Sequence, residues 1–323
     1  MRAMICNAWG GLDTLHLSDH PAPEPGAGQV LLRVIAAAVN YADILMVRGE
    51  YQTRPAFPFA PGLEAVGEVI ECGEGVSEFS PGQRVMAFLN HGGFAEQALA
   101  DKADCFAVPD EMSDDIAAGF LIGYVSSDTA IRWQGRLEDG ETMLVLGAAG
   151  GVGLTAVEIG KAMGARVIAA ASSAEKLALA GAHGADGLIN YTSENLKVRV
   201  LELTDGEGAD VCFDPVGGDL FDAALSSLGW GGRFLHVGFV GGIPQVPANR
   251  LLVKHRASLG SSLRYFRHHR PDQLRTSVNE LLRLWRTGLL KPEISAVYPL
   301  SEAVQAMDAI ESRRAVGKVV VQI

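Results

Sequence analysis

The stretch Thr142–Val157, "TMLVLGAAGGVGLTAV", constrains this chain more than any other. An apolar run enters a glycine-rich turn, and a helical pattern leaves it. The hexad Ala148-Ala149-Gly150-Gly151-Val152-Gly153 has the form A-x-G-x-x-G. Glycine at 150 lets main chain approach a pyrophosphate with no Cβ in the way, and glycine at 153 lets the helix pack close to the strand. The helix start offers N–H groups and partial positive charge to phosphates. A lone glycine hexad is a weak signal, but this one follows a strand, opens a helix and precedes a second strand, "RVIAAA". Ala149, Gly150, Gly151 and Val152 are therefore candidate cofactor-binding positions.

The same texture continues. After about Asp139, strand and helix patterns alternate: "TMLVLG", "RVIAAA", "GLIN", "ADVCFD", "GRFLHVG" and "RASLGSS" are strands, with helical runs between the earlier ones. Six strands with crossover helices predict an α/β fold with a doubly wound parallel sheet. The first 120 or so residues differ. Short β-like runs such as "QVLLRVIAAAV" and "QRVMAFL" are separated by Pro/Gly turns, which predicts a small barrel-like β domain. The closing strand "GKVVVQI" has that first texture, so the tail is expected to pack back on it. The predicted domains are 1–121 with 264–323, and 122–263.

The second strand of a dinucleotide-binding unit usually ends in Asp or Glu, which holds the adenosine ribose. Here it ends in Ser172-Ser173, with Lys176 one turn on and Tyr191 after the third strand. Without an acid, this pocket does not repel a 2′-phosphate. Two hydroxyls, a phenol and an ammonium can hold one, so NADPH is preferred to NADH. The serines also suit an N-cap for a helix at 174–182, and Lys176 also suits a solvated helix face.

Composition narrows the partners. The 323 residues are 48% hydrophobic and 20% charged, with net charge -11, so a packed core is expected and nucleic acid or an anionic membrane surface is not. No apolar run reaches the roughly 20 residues of a membrane helix. Cys6, Cys72, Cys105 and Cys212 form no Cys-x-x-Cys pair, and "MRAMICNAWG" does not read as a signal peptide. A cytoplasmic protein with reduced thiols is expected.

The stretches "AAAVNYADILMVRGEYQ", "PGLEAVGEV", "GGFAEQAL", "LVLGAAGGVGLTAVEIGKAMGARVIAAASSAEKLALA", "GADVCFDPVGGDLFDAALSSLGWGGRFLHVGF" and "GKVVV" resemble the zinc-free quinone oxidoreductase branch of the medium-chain dehydrogenase/reductase superfamily. The resemblance covers nearly the whole chain. It implies a GroES-like β-barrel domain joined to a Rossmann domain with a six-stranded parallel sheet. Zinc alcohol dehydrogenases resemble this chain too, but carry Cys at the position of Asn40 and His at that of Leu63. Asn and Leu cannot supply catalytic zinc ligands, so no metal is expected.

Without zinc, the remaining chemistry is hydride transfer from NADPH to an electron-poor acceptor, which resemblance makes a quinone. An enone or enoyl-thioester double-bond reductase and a non-catalytic NADPH-binding relative are the alternatives. The resemblance places the nicotinamide near Asn40, Ser126, Gly217 and Val237 to Phe239. It makes Asn40 and Tyr51 candidates for binding the acceptor oxygen, although Tyr51 also suits an ordinary loop aromatic. Ser126 falls where the branch carries Thr, and Asp128 where it carries an aromatic. Arg313 matches an arginine that reaches the 2′-phosphate, and also suits a solvated helix end. The resemblance further implies a homodimer paired through "RASLGSSLR". The sequence offers no obvious buried acid–base pair near the nicotinamide.

Overall fold

A computed structural model describes all 323 residues. The chain divides into two compact units, Met1–Ile122 with Pro292–Ile323, and Gly123–Lys291.

The first unit is built on strands β1 (Arg2–Cys6), β2 (Leu15–Asp19) and β3 (Gln29–Val39), helix α1 (Tyr41–Val47), strands β4 (Glu64–Cys72), β5 (Arg84–Phe88), β6 (Gln97–Asp101) and β7 (Cys105–Ala107), and helix α2 (Asp114–Phe120). β3 is its spine. Its eleven residues are nearly all aliphatic, and it pairs antiparallel with both β4 and β6. Aliphatic and β-branched residues suit a pleated surface with neighbours on both sides. Val30, Leu32, Val34, Val66, Val69 and Val85 are buried in this domain.

The second unit alternates strand and helix. The helical stretch that leads into it from the first unit has two π-turns, 121–125 and 129–134, and carries α3 (Ser126–Asp128). Then come β8 (Thr142–Leu146), α4 (Gly151–Ala162), β9 (Arg166–Ala171), α5 (Ala174–Ala182), β10 (Gly187–Asn190), α6 (Leu196–Leu203), β11 (Ala209–Asp214), α7 (Leu220–Ser227), β12 (Leu228–His236), α8 (Ala248–Val253), β13 (Ala257–Gly260), α9 (Leu263–His269) and α10 (Pro271–Arg286). The strands form one parallel sheet in the order β10-β9-β8-β11-β12-β13. This is the doubly wound arrangement that the alternation implies.

The chain then returns to the first unit with β14 (Ile294–Pro299), α11 (Ala303–Glu311) and β15 (Lys318–Gln322). β15 lies antiparallel to β3 and completes its sheet.

One expected boundary is corrected. Residues 264–291 belong to the second unit, so the return comes at 292 and not at 264. The amphipathic helix α10 buries Leu274, Val278 and Leu281 there, and the Trp133 indole N–H donates to Ser277 Oγ at 2.9 Å. No helix is long and apolar enough to cross a membrane.

Candidate active site

Because the six strands of the second unit are parallel, the loops after their C-terminal ends gather on one edge. That edge is where open α/β sheets bind ligands. It collects Ala149 to Val152, Ser172, Ser173, Tyr191, Gly217, Val237 and Phe239.

The glycine loop fits a dinucleotide. Gly147 leaves β8 at φ +58°, and Gly150 caps α4 in extended geometry with no side-chain hydrogen bond at the helix start. A Cβ on Gly153 would stand 2.1 Å from Gly147 O, so only glycine lets α4 lie this close to the strand end. A Cβ on Gly150 would meet nothing nearer than Gly147 O, at 3.4 Å, so no neighbour crowds that side. Ser127 hydrogen-bonds Val152 O at 2.9 Å and Thr155 Oγ1 at 2.8 Å, fixing α4 to the stretch after α2. Ser127 and Asp128 are buried and Ser126 is half-buried. Asp128 pairs with Arg132 at 3.0 Å.

β9 ends at Ala171 and is followed by Ser172 and Ser173, the first acid being Glu175 inside α5. Ser173 Oγ accepts the Lys176 main-chain N–H at 3.3 Å, so this serine caps α5. Ser172 is half-buried and its carbonyl accepts from Thr192 Oγ1 at 3.4 Å. Tyr191 is anchored through its N–H to Ala171 O at 3.2 Å. After β11, Asp214 Oδ1 accepts the N–H groups of Val216 and Gly217 at 2.7 and 2.8 Å, shaping the "DPVGG" turn. Burial pushes the Asp214 carboxyl up, against those two donors. Val237 donates its N–H to Asp214 O at 2.9 Å, and Phe239 is 43% exposed.

The first unit holds the remaining candidates. Tyr51 is half-buried in the loop after α1, with its N–H on Leu45 O at 3.1 Å. Arg313 is exposed, in left-handed conformation just past α11. Asn40 caps α1 in a capping box: its main-chain N–H donates to Asp43 Oδ2 at 2.8 Å. Its side chain sits in a polar centre that the sequence did not reveal. Asn40 Nδ2 donates to Glu64 Oε1 at 3.0 Å, and the Lys318 ammonium donates to Asn40 Oδ1 and Glu64 Oε1, both at 2.8 Å. Glu64 Oε2 accepts from Ile122 N at 2.8 Å. The pair is buried: Glu64 is 1% and Lys318 7% exposed. Asp43 is fully buried beside them. Desolvation lifts its carboxyl to about 7, against the Asn40 N–H and the Lys318 charge, which favour the anion.

Comparison with known proteins agrees with this fold. The family described as alcohol dehydrogenase GroES-like domain matches residues 26–110, and zinc-binding dehydrogenase matches 151–282. A quinone oxidoreductase-like protein 2 homolog from Nematostella vectensis is 39% identical over 99% of this chain and 88% of its own length. Quinone oxidoreductase from Pseudomonas aeruginosa is 32% identical over 97% of each chain. Among solved structures, a mycobacterial protein complexed with NADPH superposes with TM-score 0.95 at 31% identity, covering 100% of both chains. Escherichia coli quinone oxidoreductase complexed with NADPH gives TM-score 0.94 at 27% identity, again over 100% of both. The chain belongs to the zinc-free quinone oxidoreductase branch of the medium-chain dehydrogenase/reductase superfamily.

Proposed function

We propose that this chain is an NADPH-dependent reductase of quinones. The observation that carries the reading is the cradle of Gly147, Gly150 and Gly153 beside a second strand whose end is acid-free. The cradle suits a pyrophosphate, and Ser172, Lys176 and Tyr191 suit a 2′-phosphate. The NADPH complexes of the mycobacterial and Escherichia coli relatives support the same cofactor. When bound, NADPH supplies a hydride, and with it both electrons that reduce the acceptor. The protein orients the reactants and excludes water. In this reading Asn40 and Tyr51 donate hydrogen bonds to the acceptor oxygen, Ser126 borders the nicotinamide, and Arg313 adds charge for the 2′-phosphate.

A second acceptor class has one observation in its favour. The Asn40 carboxamide is held between a cation and an anion, which suits stabilisation of an enolate from an enone or enoyl thioester. Steady-state NADPH oxidation with matched quinones and enones tests both. Turnover of quinones alone supports the first reading, faster enone turnover favours the second, and no turnover with either leaves a cofactor-binding protein without this catalysis.

We further propose a homodimer. β13 has β12 as its only neighbour in the sheet, and Ile243, Leu252 and Val253 of the same unit are 82%, 83% and 68% exposed. An unpaired edge beside apolar surface is a hazard that a second copy removes. Light scattering at micromolar concentration should give twice the chain mass, and a monomer mass refutes the pairing.

A further inference from the structure

The Asn40 side chain is an amide, and its two ends are nearly the same shape. Which end carries oxygen is a matter of the neighbours. Here the neighbours are opposite charges. Lys318 Nζ faces Oδ1 at 2.8 Å, and Glu64 Oε1 faces Nδ2 at 3.0 Å. Turning the amide over would set NH2 against an ammonium and oxygen against a carboxylate. The pair is itself held. Glu64 Oε2 takes the Ile122 N–H, and the Lys318 stem runs so close to Gly119 that a Cβ there would lie 3.2 Å from Lys318 Cε. One amide hydrogen of Asn40 is committed to Glu64. The other reaches only Ala38 O at 3.4 Å, beyond the usual range for such a bond, and is the one available to a ligand.

We propose that Lys318 and Glu64 are positioning residues that fix the orientation of the Asn40 amide, and that Lys318 strengthens its second N–H as a donor to the acceptor oxygen. This rests on the reading that Asn40 contacts the acceptor. A cation on the amide oxygen draws electron density from nitrogen, and in a buried site such polarisation is little screened. The acceptor gains negative charge on its oxygen as it is reduced, so a better N–H donor lowers the barrier more than it tightens binding.

The test uses the full chain with NADPH and, in parallel, 1,4-benzoquinone and 2-cyclohexen-1-one. Lys318→Met should lower kcat at least tenfold for each acceptor turned over, with the NADPH Kd changed less than twofold. Lys318→Arg should keep at least a third of kcat. In an Asn40→Ala background, Lys318→Met should change kcat less than twofold, because the residue it acts through is gone. Should Lys318→Met misfold, Glu64→Gln/Lys318→Met removes both charges together, and it should stay slow because the cation on the amide oxygen is gone. Recovery of wild-type kcat in that double variant would show that the pair only balances charge, and the inference is overturned. So is it if Lys318→Met slows the Asn40→Ala enzyme as much as the wild type. If Asn40→Ala itself leaves kcat untouched, the proposed role of Asn40 falls. If Asn40→Ala is slow while Lys318→Met is not, only the positioning claim falls.

Discussion

The Tyr124 hydroxyl donates to Glu158 Oε2 at 2.5 Å, and both side chains are buried. The other carboxylate oxygen accepts from Lys291 N at 2.9 Å and lies 2.7 Å from His183 Nδ1. Tyr124 is the second residue of the second unit and Lys291 its last. One carboxylate therefore ties the entry and exit of this unit together. Burial first, and then the Glu158 charge, push the Tyr124 phenol well above its ordinary value, so it stays a donor. Tyr124→Phe should leave Glu158 Oε2 without this donor and cost about 1–3 kcal/mol, as for other buried polar groups stripped of a partner. The urea midpoint checks this, and an unchanged midpoint refutes it.

The two serines after β9 should separate by experiment. Ser173 caps α5, so Ser173→Ala should lower stability by about 1 kcal/mol. Ser172→Ala should leave stability nearly unchanged but weaken NADPH more than NADH. Lys176→Ala should weaken NADPH selectively by about 1–3 kcal/mol, the range for a charge-assisted hydrogen bond. Calorimetric Kd values for both cofactors decide it, and equal losses for NADPH and NADH count against a 2′-phosphate pocket.

Gly153→Ala places a methyl 2.1 Å from Gly147 O, and the obstacle is main chain. Overpacking of this kind costs about 1–3 kcal/mol or more. The expected result is a lower melting temperature together with loss of NADPH binding, because α4 must retreat from the strand end. Gly150→Ala has room by comparison and should keep most of the stability while losing affinity. Equal melting temperatures for the two variants would refute the distinction.

Asp43 should titrate near pH 7. Its folded value lies above the ordinary 3.8, so the folded chain holds this proton where the unfolded chain has released it. The stabilisation is full below the unfolded value and is lost as pH rises through about 7. Linkage sets the loss at no more than about 1.4 kcal/mol per pH unit in that window. The stability difference between wild type and Asp43→Ala should therefore shrink from pH 4 to pH 7 and level off above. A difference that grows with pH would show an anion stabilised by its donors instead.

Tyr51→Phe should lower quinone turnover modestly and enone turnover much more. A hydroquinone anion is weakly basic and solvent can protonate it, whereas an enolate depends more on donors at its oxygen. Loss of one such donor costs roughly 2.7–4 kcal/mol where charge develops strongly. Equal falls in kcat/KM for both acceptor types would make Tyr51 a packing residue.

The Rossmann unit was legible because its signals are local. The glycine hexad, the strand-helix period and the missing acid each lie within a few turns of chain. Ser173 shows the limit of local reading, since an N-cap and a phosphate ligand call for the same hydroxyl. The boundary at 291 was not legible. The apolar stripe of α10 tells that it packs, but not on which body. The polar centre was hidden for a related reason. Glu64 and Lys318 are 254 positions apart, and each sits in a strand where a charged residue reads as a surface position. Only the pairing of β15 with β3 brings them together.

That pairing bears on the order in which the molecule can be made. The second unit is one unbroken segment and is complete before Lys318 leaves the ribosome. Domains of this kind fold as units during synthesis. The first unit must wait. Until the closing strand arrives, Ala36–Val39 has an open edge, and Glu64 has no cation. A bare edge invites pairing with other chains, and a carboxylate buried alone is strongly destabilising. A chain stopped just before residue 318 would therefore carry a finished nucleotide-binding half on an aggregation-prone barrel, although it lacks only the last few residues.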